Sequence, residues 1–209
     1  MGHVTFPSGR VILALASMRR YSYLCPLFWN LKDKNMELQE AYQSFHNFNG
    51  NILIVETKDV RLPVFYIKFS DGQLPHLLGL HKLYRKPATK LVEQLRVGEI
   101  TLEKIKRHQN FSLIKERIEN FDFVIQTFST PSHSFVIQVS KVDSDNRMRL
   151  DLVFNGHRRN RKLVIGLRRS KEDSEIFRPV TFFVTKNKKF DYLHSRRVEV
   201  TNMLWMASN

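Results

Sequence analysis

The chain has 209 residues, of which 42% are hydrophobic and 16 are Phe. This content is enough for a packed core and excludes a wholly disordered chain. The 34 Lys and Arg outnumber the 20 Asp and Glu, and the formal net charge of +14 favours a polyanionic partner such as nucleic acid or an acidic membrane surface.

The first 35 residues differ from the rest because they show neither a helical period nor a strand period. We predict an N-terminal extension over residues 1–35 and a single domain over residues 36–209. Two interpretations of the extension stay open. In the first, Met36, which begins a good helical sequence, is the natural start of the protein. In the second, residues 1–35 form a short apolar arm that packs on the domain.

The first half of the domain is predicted to be helical with one pair of strands. In order, the predicted elements are a helix over residues 36–48, strands over residues 51–57 and 64–70, the apolar stretch of residues 74–83, a helix over residues 89–97 capped by Thr89, a short helix capped by Thr101, and a long helix over residues 111–128. Six apolar residues of the long helix fall three or four positions apart and therefore on one face: Phe111, Ile114, Ile118, Phe121, Ile125 and Phe128.

The pattern changes to a period of two after Pro131. Four strands are predicted over residues 134–140, 147–154, 162–169 and 177–185, and the polar turns between them favour antiparallel pairing. The predicted fold class is therefore α+β, with N-terminal helices and a short β-hairpin followed by a four-stranded antiparallel sheet.

The positive charge is concentrated in the predicted sheet half. Residues 134–209 hold 16 Lys and Arg against 8 Asp and Glu, a balance of +8, whereas residues 36–133 hold 13 against 11, a balance of +2. Such polarity favours one nucleic-acid-facing surface on the sheet.

Strand alternation predicts which side chains form that surface. They lie on the face of the sheet that points away from the core, or in a cationic turn over residues 156–162, and they are Arg147, Arg149, Arg158, Arg159, Lys162, Arg168 and Phe183. The cations would bind phosphates, and the exposed ring would stack on an unpaired base. The alternative is a solvated sheet face whose arginines only aid solubility.

The stretch LPHLLGLHKL, residues 74–83, is the most unusual segment of the sequence. A strand and a turn precede it, helices follow it, and a later strand carries the residues PVTFF, 179–183. This arrangement resembles the phage-type nucleases of the barnase, EndoU, colicin and RelE-like class, and in particular their fourth family, over residues 45–195. The resemblance implies a barnase- or RelE-like fold and an endoribonuclease of bacteria, phages or conjugative elements.

Metal-free RNA cleavage needs a base for the 2′ proton, an acid for the 5′-oxygen, and cations for the charge on phosphorus. We assign the base and the acid to His76 and His81, in either order, because histidine titrates near neutral pH. Lys82 and Arg117 would stabilise the phosphate, and Thr181 would hydrogen-bond it. Each assignment has a structural alternative: a partly buried histidine, an Arg117 ion pair with Glu116 or Glu103, or a threonine that only favours a strand.

The function predicted from these residues is a metal-independent endoribonuclease of the toxin or mobile-element type, with RNA and an antitoxin or immunity protein as partners. The alternative is a non-catalytic RNA- or DNA-binding protein. An ADP-ribosyltransferase is disfavoured because no ExE pair of acids is present. No metal-ligand spacing and no long apolar run occur, so neither a cofactor nor a membrane span is predicted. The single Cys25 forms no internal disulfide and favours the cytoplasm.

Overall fold

A computed structural model of the protein describes residues 4–5, 11–12, 36–129, 135–143, 146–186, 190, 192 and 194–207. The chain divides into two units, Met1–Lys34 and Asn35–Asn209. In the first unit, the short strands β1 (Val4–Thr5) and β2 (Val11–Ile12) pair antiparallel. The further description concerns the second unit.

The helices of the described residues in the second unit are short. They are α1 (Leu38–His46), α2 (Leu74–Leu78), α3 (Ala88–Arg96), α4 (Leu102–Lys106), α5 (Lys115–Glu119) and α6 (Asp122–Ser129), with 3-10 turns at Asp71–Gln73, Leu80–Lys82 and Phe111–Leu113. The predicted cap of α4 is confirmed, since the Thr101 hydroxyl accepts a hydrogen bond from the Lys104 amide at 3.2 Å. The predicted cap of α3 is wrong, because that helix begins directly after Pro87 and Thr89 lies inside it.

The long helix predicted over residues 111–128 is interrupted. Asn120 follows the last residue of α5, and its side-chain amide donates to the Glu116 carbonyl at 2.8 Å. The apolar face nevertheless persists across the break, since Ile114, Ile118 and Phe121 are all buried. The spacing identified which residues enter the core, but it did not reveal that the backbone turns between them.

Seven strands of the second unit form one mixed sheet. They are β3 (Ile52–Thr57), β4 (Val64–Lys68), β5 (Phe135–Gln138), β6 (Leu152–Arg158), β7 (Arg161–Arg169), β8 (Ile176–Thr185) and β9 (Arg196–Met206). Their order is β3-β4-β8-β7-β6-β5-β9, and the pairing of β9 with β3 closes the barrel. All neighbours run antiparallel except β4 and β8.

The α+β class is confirmed, but the four-stranded antiparallel sheet is wrong. The hairpin of β3 and β4 joins the later strands through the parallel contact with β8, where Tyr66 pairs with Ile176. Strand β9 was not predicted. Asn202 pairs with Glu56, but Val200 and not Thr201 pairs with Thr57. Thr201 is therefore an extra residue that breaks the inward alternation of β9.

One face of the sheet and the helices enclose the main core. Apolar side chains from every strand of the closed sheet and from all six helices meet there, including Phe45, Leu53, Phe65, Leu78, Leu95, Ile105, Ile118, Phe128, Val136, Phe154, Ile165, Phe182 and Met203. This packing fixes α2 and α5 against β8 and so positions the segment of residues 74–83.

The opposite face of β5 to β8 carries a second hydrophobic cluster, contrary to the prediction of an open cationic face. Its buried members are Ile137, Val139, Leu150, Val153, Val164 and Tyr192. Lys162 is only 8% exposed and its ammonium donates to the Phe190 carbonyl, so its predicted outward position is wrong. The Phe183 ring lies 4.7 Å from that of Phe190 and is half-buried. Residues 190 and 192 cover this face from a distant part of the sequence.

The boundaries around β6 also differ from the prediction. The strand begins at Leu152, so Arg147 and Arg149 precede it in exposed turn structure instead of alternating along it. The predicted cationic turn of residues 156–162 is mostly strand, because β6 and β7 stay paired up to Arg158 opposite Arg161. Only Arg159 and Asn160 form the turn.

Gly156 provides a test of the contact between β6 and α6. A Cβ at this position would lie 2.5 Å from Cε2 of Phe123, whose ring stacks on the buried Phe182. We expect Gly156→Ala to lower the free energy of unfolding by about 1–3 kcal/mol through overpacking, measured by urea denaturation. Gly72→Ala is the matched control, since the nearest atom is 3.8 Å away. Equal urea midpoints for Gly156→Ala and wild type would contradict this packing.

Candidate active site

The segment LPHLLGLHKL forms α2 and the 3-10 turn that follows it. Pro75 occupies the first turn of α2, where its missing N–H costs nothing, and Gly79 ends the helix in the left-handed region at φ 82°. All five leucines are buried in the main core: Leu74, Leu77, Leu78, Leu80 and Leu83. Their burial leaves His76 and His81 on the exposed side, with ring centroids 5.0 Å apart.

Gly79 brings this segment into direct contact with α5. A Cβ on Gly79 would lie 2.8 Å from Cγ2 of Ile114 and 3.1 Å from Cδ of Arg117, so only glycine permits this approach. The Arg117 guanidinium donates to the His76 carbonyl at 3.2 Å. Arg117 is therefore fixed beside the two histidines by backbone contacts.

The structure does not contain the alternative, an ion pair of Arg117 with Glu116 or Glu103. Glu116 pairs with Arg161 at 2.6 Å and joins α5 to the start of β7. Within the described ranges, no carboxylate lies within ion-pair distance of His76, His81, Lys82 or Arg117. We call these four side chains the cation cluster.

Burial and mutual repulsion lower pKa values within the cation cluster. Burial lowers the pKa of His81, and the neighbouring positive charges of His76, Arg117 and Lys82 lower it further, against a hydrogen bond to the Pro75 backbone that raises it. Burial followed by the charge of Arg117 lowers the pKa of Lys82, and burial lowers the pKa of Arg117. An anion bound here would relieve the repulsion, so the cluster favours a phosphate group.

A pocket of about 170 Å³ opens beside the cation cluster. It is lined by Lys82, Ser112, Leu113, Glu116, Arg117, Phe183 and Val184. Pockets that enclose a drug-sized ligand are larger, about 300–1,000 Å³. This one suits a single phosphate or sugar of a strand that passes over the surface.

A family model that matches the sequence agrees with this chemistry. The model described as phage-Barnase-EndoU-ColicinE5/D-RelE like nuclease4 matches residues 37–207, from α1 to the end of β9. The chain belongs to this nuclease family. The resemblance drawn from residues 74–83 and 179–183 is thereby confirmed, and the protein is a nuclease whose substrate class is nucleic acid. Neither the curated proteins nor the solved structures gave a match to this nuclease.

Of the predicted catalytic residues of this nuclease, Thr181 is the one that lies on the sheet, in β8. Its Cγ2 and the side chain of Leu150 both meet the position of a Cβ on Gly166, which puts Thr181 on the face of β8 that carries the second cluster. Phe183, two residues further along β8, packs on the same cluster and lines the pocket beside the cation cluster.

The predicted nucleic-acid contacts of the nuclease are spread over several environments. Arg158 makes a bidentate ion pair with Asp122, at 2.8 Å and 2.5 Å, and the hydrogen bonds that it donates to that carboxylate raise the pKa of Arg158. Arg168 donates to the Met148 carbonyl at 3.2 Å and 2.6 Å. Four of the predicted contacts are exposed: Arg147, Arg149, Arg159 and Arg168.

Three features of the site were missed by the sequence analysis: Gly79, Ser112 and the Glu116–Arg161 ion pair. Gly79 carries a usable signal, since glycine often follows the last residue of a helix. The ion pair joins the helical half to the sheet half, and no local pattern in the sequence indicates it.

The described residues of the nuclease contain neither a metal-binding group of side chains nor a membrane-spanning helix. Across the part of the chain that the structure describes, no three His, Cys, Asp or Glu side chains gather as a metal ion would require. The helices among the same residues are too short or too polar to cross a membrane.

The positive charges of the cation cluster affect the pKa of His81 in this nuclease. A lowered pKa means that His81 is neutral at pH 7, and removing a positive neighbour makes its protonated form less costly. We therefore expect NMR titration of the His81 ring to give a pKa below that of an ordinary histidine, and Lys82→Gln to shift it upward. Lys106→Gln on α4 is the control and leaves it unchanged. A wild-type His81 that titrates like an ordinary histidine would contradict the arrangement.

Proposed function

We propose that this nuclease is an endoribonuclease that cleaves RNA by attack of the ribose 2′-OH, without a metal ion. The cation cluster carries the proposal: it combines two imidazoles 5.0 Å apart with a lysine and a half-buried arginine that line an open pocket. Among the described residues no carboxylate lies within ion-pair distance of these four side chains, and Glu116, which also lines the pocket, pairs with Arg161. This combination supplies an acid, a base and charge stabilisation in one place.

His81 acts as the general base. Burial and three positive neighbours keep its pKa low, so at neutral pH its ring is unprotonated and accepts the 2′ proton. The 2′-oxygen then bonds to phosphorus while the bond from phosphorus to the 5′-oxygen breaks. His76 gives its proton to that leaving oxygen. The products are a 2′,3′-cyclic phosphate and a 5′-hydroxyl.

Lys82 and Arg117 stabilise the charge on the phosphate oxygens. Arg117 is already held by the His76 carbonyl, so little reorganisation is needed when the substrate binds. The exposed Arg147, Arg149 and Arg159 add sequence-independent attraction to the RNA backbone.

We infer the biological setting from the family to which the chain belongs. A ribonuclease of this kind acts as a toxin or as part of a mobile element, works in the cytoplasm, and needs an inhibitor in the cell that makes it. An antitoxin or immunity protein with an acidic surface complements the cation cluster.

The proposed function is tested by cleavage of a labelled single-stranded RNA in EDTA. We expect the wild type to cleave, His76→Ala and His81→Ala each to lose about 10²–10⁴-fold in rate, and Arg117→Gln to lose about 10²–10³-fold. His157→Ala, at an exposed histidine of β6, is the control and retains full activity.

Three outcomes count against the proposal. Activity that disappears in EDTA and returns with a divalent metal would remove the metal-independent mechanism. An unchanged rate in the double histidine variant would remove the assignment of His76 and His81. Binding with a steep salt dependence but no product would identify a non-catalytic nucleic-acid-binding protein instead.

A further inference from the structure

A second cationic pocket, of about 210 Å³, lies at the other end of the β7–β8 hairpin. Four cations and one acid line it, together with a serine and a valine: Arg168, Arg169, Lys171, Arg178 and Glu172, with Ser170 and Val180. None of its side chains belongs to the cation cluster.

Arg168 and Arg178 are direct cross-strand neighbours in the register of β7 and β8. Like charges in this position repel and destabilise a sheet unless something compensates them. Arg168 is oriented by its two hydrogen bonds to the neutral Met148 carbonyl, and no carboxylate of the described residues forms an ion pair with it. The guanidinium is thus pre-positioned for an oxyanion.

Arg178 is compensated only in part. Its Nη2 donates to Glu172 at 3.0 Å, but Glu172 is 80% exposed, and an ion pair this open to solvent contributes little. Its Nε is buried and has no hydrogen-bond partner among the described residues. The pair therefore retains donors and charge that a phosphate would satisfy.

Both pockets border β8. Val180 lines the second pocket, and Phe183 and Val184 line the first. Val180 and Phe183 are three residues apart, which is about 10 Å along a strand. A single nucleic acid strand that occupies both pockets therefore brings a different phosphate into each.

We propose that the second pocket is a phosphate-binding subsite for the single strand that is cleaved beside the cation cluster. Its ligand is a phosphate of the phosphodiester backbone other than the scissile one, and Arg168 and Arg178 are its binding residues. The inference rests on the proposed function in that the strand in both pockets is the same RNA.

The subsite is tested by binding of a fluorescein-labelled 2′-O-methyl RNA octamer, which cannot be cleaved through a 2′-OH. We expect Arg168→Gln with Arg178→Gln to raise its Kd by about 10–100-fold and to reduce the slope of log K against log salt by about 1.4. Lys106→Gln with Arg107→Gln, at two exposed cations at the end of α4, is the charge-matched control and changes neither. Lys171→Gln, at an exposed cation of the same pocket, raises the Kd by a smaller factor and serves if the double variant does not fold.

Cleavage of a dinucleotide separates this inference from the proposed function. A dinucleoside monophosphate carries only the scissile phosphate and has none to place in the second pocket, so the double variant keeps the wild-type kcat/KM for it. If the wild type cleaves no RNA, the proposed function fails while the octamer measurement still decides the subsite. An octamer Kd within twofold of wild type in the double variant, or an equal loss on the dinucleotide, overturns the subsite.

Discussion

The contact of Gly79 with Ile114 and Arg117 holds the site together. It lets the turn after α2 lie directly on α5, so that two histidines, a lysine and an arginine converge with no carboxylate within ion-pair distance among the described residues. Burial and the gathering of like charges are both unfavourable for cations, and together they lower the pKa values of His81 and Lys82. The same ten-residue segment offsets this cost, because burial of each of its five leucines contributes about 1.5–3 kcal/mol.

The charge of the sheet half acts at the ends of the strands, not across an open face. Phe190 and Tyr192 help to cover the face on which alternation placed the cations, and Arg158 is neutralised by Asp122. Four other cations of the sheet half line the second pocket: Arg168, Arg169, Lys171 and Arg178. At the other end of β8, Lys82 and Arg117 of the helical half provide the charge of the first pocket, which the half-buried ring of Phe183 also lines.

Local signals in the sequence were sufficient for much of the fold and for the core of the site. Helix α1, strands β3 and β4, the Thr101 cap and the burial of the leucines around His76 depend on neighbours a few residues apart, and each matches the structure. Long-range features were missed. The parallel contact of β4 with β8 and the closure by β9 join distant segments, and the inward alternation of β9 is interrupted at Thr201. The outward assignment of Lys162 failed for the same reason, since the residue that accepts its hydrogen bond, Phe190, is 28 positions away.

The central claim is that the cation cluster directs 2′-OH attack on an adjacent phosphate. Its most direct test is mass spectrometry of the ends produced from a DNA oligonucleotide that contains one ribonucleotide. The claim predicts a single cut after the ribonucleotide, with a 2′,3′-cyclic phosphate on one fragment and a 5′-hydroxyl on the other. Fragments with 5′-phosphate ends, or equal cleavage of the all-deoxy oligonucleotide, would contradict it.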